Sequence, residues 1–494
     1  MSQHPGFHSL HDETTRICPV EGDLPAWLTG SLVRNGPGAF SFPGGSAVDH
    51  WFDGLAMVHR FTFDPAGGGG SGNGDRIHYR NRFLETDTYR AAREGTFDGG
   101  FATGETTLRS RLAGFFCDSY DNTNIVVERV GDAYLALTET PRHVAVDPAT
   151  LSTLGPVEYE GDCPTGHLSC AHLRRDPATG TLVNVDTAFG RTSRYHVYAT
   201  TGVGERRHVG TVPTEKPAYM HSFALTPRYV VLTEFPLRVN PLRFFRPGRQ
   251  APFIEQFEWE PDRGTRFVVV ERSSGEVVAD PVTDPVFGFH HVNAFEQAGG
   301  TELVVDLETV PDATAVDSLY LEGLRAGEFD AIAGRLERFT VDLGDVTGRG
   351  RYGAGGATVS REALSADGIG LPTVSPERWC RRHRYVYAMQ LDRPVTEWAR
   401  GVTKLDLRTG DAATFDRGGD YFGEPVFVPA PEGAAEDDGV VLTVVLDAAA
   451  DVSRLLVLDG ATFEERARVT LPHAIPFDFH GRYFPEVRAR RDGE

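Results

Sequence analysis

The chain has 494 residues, and 70 acidic against 49 basic side chains give it a formal net charge of −21. A surface with this charge repels nucleic acid and anionic lipid, so neither is an expected partner. The sequence contains no apolar run long enough to cross a bilayer, and residues 1–21 lack the apolar core of a signal peptide. We therefore expect neither a membrane-spanning helix nor a secretory leader.

Five cysteines are scattered along the chain, and none forms a Cys-x-x-Cys pair: Cys18, Cys117, Cys163, Cys170 and Cys380. An odd, dispersed set of this kind is typical of neither a disulfide scaffold nor a zinc ribbon. We predict a protein of a reducing compartment, the cytoplasm.

Short segments typical of β-strands recur from end to end, each apolar or alternating and bounded by Gly, Pro or Asp. In chain order the clearest are Ala133–Thr138, Arg266–Glu271, Glu302–Leu307, Arg384–Met389, Val440–Leu446 and Arg454–Leu458. Helical periodicity is scarce. It predicts a helix over Asp312–Ala326 and a single turn over Pro376–Arg382.

Turn sequences built on Asp and Gly lie between many of the strand pairs, for example Asp176–Gly180 and Asp406–Gly410. Both residue types favour hairpin backbone geometry. Hairpins repeated along a whole chain favour sheets arranged radially, as in a β-propeller. A pair of β-sandwiches is the alternative, although no change in composition divides residues 1–494 into two domains.

Four of the seventeen histidines lie in apolar or Gly-flanked contexts at or near predicted strand ends: His172, His221, His290 and His480. A propeller would bring such positions together at its central axis. Imidazoles are suitable ligands for iron, zinc or copper, and four neutral rings leave a divalent ion its full charge. The residues alone leave two interpretations open, a metal site at the axis or hydrogen-bonded histidines of the core.

These motifs resemble those of the carotenoid cleavage oxygenase family, which includes carotenoid and apocarotenoid dioxygenases, stilbene-cleaving dioxygenases and the retinoid isomerase of the retinal pigment epithelium. The similarity begins at Gly30–Gly38, continues through His50–Phe61 and ends at Phe479–Pro485. It implies an all-β, seven-bladed propeller with a loop or helix cap over the iron-containing face. It also implies one domain over residues 1–494, with the segment 1–28 wrapping the surface.

The resemblance implies Fe(II) at the axis, held by His172, His221, His290 and His480. His291 is adjacent to His290, and neighbouring side chains on a strand point to opposite faces, so one of the two reaches the axis. The family motif Phe-His-x-x-Asn-Ala selects His290. An Ala-His pair before Asp-Pro-x-Thr-Gly likewise selects His172 over His167.

In the family, three glutamates hold the far ring nitrogens of three ligands, which fixes the tautomer and raises ligand basicity. Glu139 and Glu424 match the first and the third of these carboxylates. The second is expected directly before a Leu-Pro or Phe-Pro pair, where this chain has Gly370. The departure implies that water or a backbone carbonyl orients one ligand, His290. It also raises the alternative of a non-catalytic propeller that has kept the fold.

The family's reaction is the cleavage of a carbon–carbon double bond of a lipophilic polyene with O2 to give carbonyl products. Cleavage needs a dry tunnel beside the metal, with aromatic faces to stabilise cationic character on the polyene. The candidate tunnel residues are Ile125, Phe287, Phe289, Phe422 and Phe477. Thr138 occupies a position where stilbene-cleaving members carry lysine, which favours a carotenoid or apocarotenoid substrate. Stilbene cleavage and retinoid-type isomerohydrolysis remain alternatives.

The segment Phe235–Phe245 alternates apolar residues and arginines around two prolines. It resembles the segment by which relatives enter the membrane surface and take up substrate. The residues expected to contact the membrane are Leu237, Leu242, Phe244 and Phe245. The alternative is a loop packed onto the body of the protein.

Overall fold

The computed structural model describes residues 4–43, 45–65, 74–97, 99–104, 120–245, 252–329, 333–344 and 356–488. Its strands form seven sheets of four to six strands and one two-stranded ribbon. Seven apolar clusters each join one sheet to the next, and one of them joins the seventh sheet to the first. The sheets are therefore the blades of a closed propeller, and the predicted fold class is confirmed.

Blades 1 and 7 combine strands from both ends of the chain. Blade 1 comprises Thr14–Pro19, Gly30–Ala39, Leu55–Asp64, Arg76–Phe83 and His480–Phe484. Blade 7 comprises Glu21–Gly22, Asp420–Phe422, Val426–Pro429, Gly439–Asp447, Val452–Asp459 and Glu465–Thr470. The segment 1–28, which we expected to wrap the surface, thus supplies an edge strand to each of two blades. These pairings link the two ends of the chain and close the ring.

The other five blades follow one another in sequence. Blade 2 comprises Val126–Val130, Ala133–Leu137, Val144–Val146 and Thr153–Pro156. Blade 3 comprises Glu160–Gly161, Leu168–Ser169, Arg174–Arg175, Leu182–Ala188, Ser193–Thr200 and Glu205–Thr214. Blade 4 comprises Ala224–Leu225, Tyr229–Glu234, Thr265–Glu271, Val277–Ala279 and Val282–Thr283.

Blade 5 comprises His291–Gln297, Glu302–Thr309, Arg335–Asp342 and Thr358–Ala363. Blade 6 comprises Gly368–Thr373, Tyr385–Leu391, Gly401–Asp406 and Ala412–Asp416. The two-stranded ribbon pairs Leu237–Val239 with Phe257–Trp259. Each of the six strands predicted from the sequence overlaps an observed strand.

The helices of the described residues are short. The α-helices are Asp87–Glu94, Thr314–Asp317 and Leu321–Ala326, and the 3-10 turns are Pro5–Phe7, Trp51–Asp53, Pro241–Phe245, Ile254–Gln256, Pro261–Arg263, Ala298–Gly300 and Pro376–Arg378. The single helix predicted over Asp312–Ala326 is wrong, because Tyr320 has extended backbone and bridges to His50 between two shorter helices. Among the described residues, no helix has the length and apolar character needed to cross a membrane.

The strands of blade 7 show how the sequence fills the spaces between blades. Val440, Leu442 and Val444 pack into the cluster shared with blade 1. Val441 and Val445 pack into the cluster shared with blade 6. Alternate side chains on a strand point to opposite faces. A strand covered on both faces is therefore mostly apolar, as Val440–Leu446 is in the sequence, and its one hydroxyl, that of Thr443, donates to the carbonyl of Gly423 at 3.0 Å.

Replacing Phe484 with alanine should lower the free energy of unfolding by about 3–5 kcal/mol, because it removes a buried ring from the strand that closes blade 1. The ring packs edge-on against Tyr134 of blade 2, with centroids 5.0 Å apart. Urea denaturation would measure the change. The control is Leu154→Ala at a side chain that is 67% exposed, which should cost less than about 0.5 kcal/mol. Equal losses of unfolding free energy in both variants would contradict the closure of the propeller at this strand.

Candidate metal centre and substrate cavity

The four histidines selected from the sequence lie in or next to an edge strand of four different blades. They are His172 in blade 3, His221 in blade 4, His290 in blade 5 and His480 in blade 1. One ring nitrogen from each lies within 4.8 Å of those of the other three. Five of the ring pairs have centroids 4.4–5.7 Å apart. Residues far apart in the sequence are thus gathered at the hub of the propeller.

The two competing histidines are engaged elsewhere. The ring nitrogens of His291 form hydrogen bonds of 2.8 Å with the hydroxyls of Ser222 and Thr233. The Nδ1 atom of His167 accepts a backbone N–H at 3.0 Å. Opposite orientation of adjacent side chains therefore separates His291 from its neighbour, and His167 lies outside the cluster that contains His172.

Three glutamates hold three of the histidines through Nδ1. Glu139 accepts from His221 at 2.6 Å, Glu308 accepts from His290 at 2.6 Å, and Glu424 accepts from His480 at 2.8 Å. A carboxylate on Nδ1 keeps the proton on that nitrogen, leaves the Nε2 lone pair free and raises its basicity. The three rings are thereby fixed in the tautomer that a metal ion requires.

The expectation that water or a backbone carbonyl replaces a carboxylate at His290 is wrong, because Glu308 of the next strand takes this place. The backbone N–H of Glu308 donates to the carbonyl of His290 at 3.0 Å, so strand pairing sets the two side chains next to each other. Counting along the hairpin does not find this carboxylate: Gln297 pairs with Glu302, which would set His290 opposite Thr309, but a register shift between His291 and Asn293 moves the pairing by one residue, to Glu308. The alternative of a non-catalytic propeller was based on a missing third carboxylate, and Glu308 supplies that carboxylate.

His172 differs from the other three because none of the described carboxylates holds it. Its Nε2 atom is buried and has no hydrogen-bond partner among the described residues. Burial, together with the nearby histidines, lowers the pKa of His172 well below its ordinary value and keeps the ring neutral. A buried polar atom without a partner is costly. A metal ion among the four imidazoles would satisfy this atom, so the donor set fits a divalent transition metal.

A buried ion-pair network supports Glu424 from behind. Arg34 is fully buried and donates to both carboxylate oxygens of Asp478 at 2.5 Å and to Glu424 at 3.2 Å. Glu424 also accepts the backbone N–H of Gly481 at 2.7 Å. Burial raises the pKa of Glu424 and of Asp478, while the guanidinium opposes that rise. Arg34 lies in Gly30–Gly38, the first segment that resembles the family, but the sequence of this segment alone did not indicate that Arg34 pairs with Glu424.

A cavity of about 1050 Å³ opens onto His221, His290 and His480. Its aromatic walls include Trp51, Phe52, Phe101, Phe289, Trp398 and Phe479. Two of the predicted tunnel residues, Ile125 and Phe289, line it. The other three do not line it and lie in the packed core. Phe287 packs on Phe235, Phe422 lies between blades 6 and 7, and Phe477 stacks on Trp398 with centroids 4.3 Å apart.

The predicted membrane segment is divided between core and surface. Leu237 is only 5% exposed, because it pairs with Trp259 in the ribbon, so its predicted membrane contact is wrong. Leu242 is 67% exposed. Phe244 is half-buried, stacks on Phe253 and lines the cavity. The side chain of Phe245 lies outside the described residues.

Replacing Glu308 with glutamine should lower metal affinity by about 10–100-fold, since a neutral amide orients His290 less strongly and makes it less basic. Competitive titration with a chromophoric chelator would measure the affinity. The control is Glu302→Gln, which changes a carboxylate of the same strand that contacts Gln297 instead. Equal affinities in the two variants would contradict the role of Glu308.

The metal-free protein should lose stability as the pH falls from about 7 to about 5. Burial lowers the pKa of His172 and of His480 well below the ordinary value, so the folded chain keeps both rings neutral while the unfolded chain binds protons near pH 6.5. The raised pKa of Glu424 acts in the opposite direction. Thermal unfolding of chelator-treated protein across this range would measure the effect. A melting temperature that stays constant or rises would contradict it.

The whole chain also matches known proteins. Residues 7–485 match the family model described as RPE65, retinal pigment epithelial membrane protein. Carotenoid cleavage dioxygenase 8 homolog A, chloroplastic, of Oryza sativa subsp. japonica is 33% identical over 94% of this chain and 85% of its own length. The mitochondrial carotenoid-cleaving dioxygenase of Macaca fascicularis is 32% identical over 94% of this chain and 91% of its own.

A solved structure of cobalt-substituted Synechocystis apocarotenoid oxygenase covers 97% of this chain and 98% of its own, with a TM-score of 0.81 at 26% identity. The similarity in fold therefore extends over the same residues as the similarity in sequence. Because the family model spans nearly the entire chain, this protein belongs to the family of RPE65 and the carotenoid cleavage oxygenases, whose members are non-haem iron enzymes.

Proposed function

We propose that this protein is an Fe(II)-dependent dioxygenase that cleaves a carbon–carbon double bond of a carotenoid or apocarotenoid with O2 to give carbonyl products. The observation that carries the proposal is the cluster of four imidazoles at the end of an aromatic cavity. The names of the relatives support the substrate class. The cobalt-substituted Synechocystis structure supports a bound transition metal.

The residues that would hold the iron are His172, His221, His290 and His480, with Glu139, Glu308 and Glu424 behind three of them. When bound, Fe(II) supplies the activation of O2, and neutral imidazole ligands leave its charge uncompensated and allow open positions. The carboxylates keep Nδ1 protonated in three of the four rings. The Nε2 atoms of these three rings are thereby free to bind a cation, and no carboxylate oxygen of the described residues lies among the ligand atoms.

The cavity provides the other requirements of polyene cleavage. Its volume lies at the upper end of the range of about 300–1,000 Å³ for ligand pockets, as a long substrate requires. The faces of Phe52, Phe289 and Phe479 line it beside the histidines. Aromatic faces stabilise positive charge that develops on a polyene. Apolar walls also exclude water, which would otherwise compete at the reacting carbons.

The cavity wall favours a carotenoid or apocarotenoid over a stilbene. Thr138 is buried beside Glu139 at the position where stilbene-cleaving relatives carry a lysine. No lysine lines the cavity in the part of the chain that the structure describes. A phenol therefore finds no ammonium partner there, whereas a hydrocarbon chain needs none.

A peripheral membrane contact remains part of the proposal. The exposed Leu242 and the half-buried Phe244 support it, since Phe244 lies both in the segment and in the cavity wall. Substrate leaving a bilayer would then enter the cavity directly. The cytoplasmic location stays a prediction, because the matched relatives are named as chloroplastic or mitochondrial.

Iron-loaded protein supplied with a carotenoid or an apocarotenal under ¹⁸O2 should form aldehydes that carry the label in both products. Mass spectrometry of the products would measure it. His290→Ala should abolish product formation together with iron binding, whereas His78→Ala, a half-exposed histidine of blade 1, should change neither. Isomerised or hydrolysed product without label would instead identify a retinoid-type isomerohydrolase. Bound iron without any product from a panel of polyenes would contradict the proposed activity.

A further inference from the structure

One wall of the substrate cavity is a connection between blades 2 and 3, residues 156–168, which we call the strap. Its two ends, Pro156–Tyr159 and Thr165–Leu168, line the cavity. Its C-terminal end is continuous with the strand Leu168–Ser169 of blade 3, and His172 follows three residues after that strand. The position of the strap therefore sets the width of the cavity beside the metal centre.

Arg206 of blade 3 anchors the first end of the strap. The residue is buried, and its side chain has no exposed surface. Its guanidinium lies between two rings, 3.6 Å from the centroid of Tyr159 and 4.0 Å from that of Tyr198. Tyr159 is also bonded through its hydroxyl to His143 of blade 2. The ring is thus held on one face by a cation and at its tip by an imidazole.

The ion-pair partner of Arg206 anchors the other end. Asp186 receives a hydrogen bond of 2.6 Å from Arg206 and one of 3.1 Å from the backbone N–H of Gly166, both at the same carboxylate oxygen. Between the two anchors, Glu160–Gly161 pairs in parallel with Glu205–Arg206. A single buried ion pair therefore holds both cavity-lining ends of the strap.

This anchor depends on the shape of the arginine as well as its charge. The Nε and Nη2 atoms of Arg206 and the Oδ1 atom of Asp186 have no hydrogen-bond partner among the described residues. Few other hydrogen bonds therefore hold the guanidinium, so its position depends mainly on stacking between the two tyrosine rings. A lysine would keep the charge but lose the planar stacking and the fork geometry.

We propose that the strap is a specificity-determining wall for the polyene and that Arg206, which touches neither the hub nor the cavity, is its positioning residue. The inference rests on the proposed function, because that function identifies the ligand as a long polyene. Loosening of the anchor changes how tightly and in which register the polyene lies along the wall. His221, His290 and His480 keep their own carboxylates, and none of these three carboxylates bonds to Arg206, so the anchor does not orient these ligands.

The test uses binding of a polyene aldehyde, β-apo-8′-carotenal, followed by quenching of tryptophan fluorescence. Trp51 and Trp398 line the cavity, so bound polyene quenches them whether or not cleavage occurs. Arg206→Lys and Arg206→Met should each raise the Kd by about tenfold while leaving bound iron unchanged. The control is Arg454→Met in blade 7, whose arginine pairs with Asp447 and does not line the cavity. It should leave the Kd unchanged.

Gly166→Ala provides a second variant that leaves Arg206 intact. A methyl group at this glycine would lie 2.8 Å from the backbone oxygen of Thr187 and 2.8 Å from Cβ of Asp186, so the strap must shift. This variant should raise the Kd to a similar extent and, in the cleavage assay, raise KM more than it lowers kcat. It keeps the proposal testable if Arg206→Met fails to fold.

The proposal is overturned if folded Arg206→Lys and Gly166→Ala bind the aldehyde with the Kd of the wild type. It is also overturned if the wild type shows no quenching at all. Wild-type protein that binds the aldehyde but does not cleave it contradicts the proposed dioxygenase activity, whereas a higher Kd in the two variants still supports the role of the strap. The two ideas therefore fail on different measurements.

Discussion

The structure depends on the requirement that four neutral imidazoles from four blades face one point. His480 reaches that point only when the last strand of the chain pairs with Gly30–Ala39, with Asn35 opposite the histidine. Arg34 of the same pairing holds Glu424, which in turn holds His480. Closure of the propeller and orientation of a candidate ligand are therefore one event. Free energy of metal binding would then also stabilise the closed ring.

The charges around the hub follow from this arrangement. The carboxylates lie behind the imidazoles, so a cation at the hub would meet neutral nitrogen atoms first and negative charge at longer range. Each buried carboxylate needs compensation for its lost hydration. Glu424 receives it from Arg34, and Glu139 from the hydroxyl of Tyr219 at 2.5 Å. The aromatic cavity on the substrate side keeps the dielectric low, so these interactions are stronger than they would be in water.

Turn chemistry and strand periodicity favoured a propeller but left a pair of β-sandwiches open, because both are short-range signals. The resemblance to the family supplied the seven blades and the interpretation of the four histidines as metal ligands. Glu308 was missed because its role depends on the register of a hairpin, which motif matching does not use. The tunnel was only partly predicted. Phe289 lines the cavity while Phe287, two residues earlier, packs into the core, since the backbone between them is not a regular strand. Composition cannot tell such phenylalanines apart.

The contacts of the strap link the site to the propeller that carries it, since Asp186 and Arg206 belong to strands of blade 3 and Tyr159 to the cavity wall. We therefore infer that substrate selection and metal binding use different parts of the propeller. Anomalous diffraction at the iron K edge, from crystals of iron-loaded protein, tests the central claim most directly. We predict a single peak at the hub within bonding distance of one nitrogen from each of the four histidines. A hub without a peak, or iron bonded to other side chains, would contradict the account.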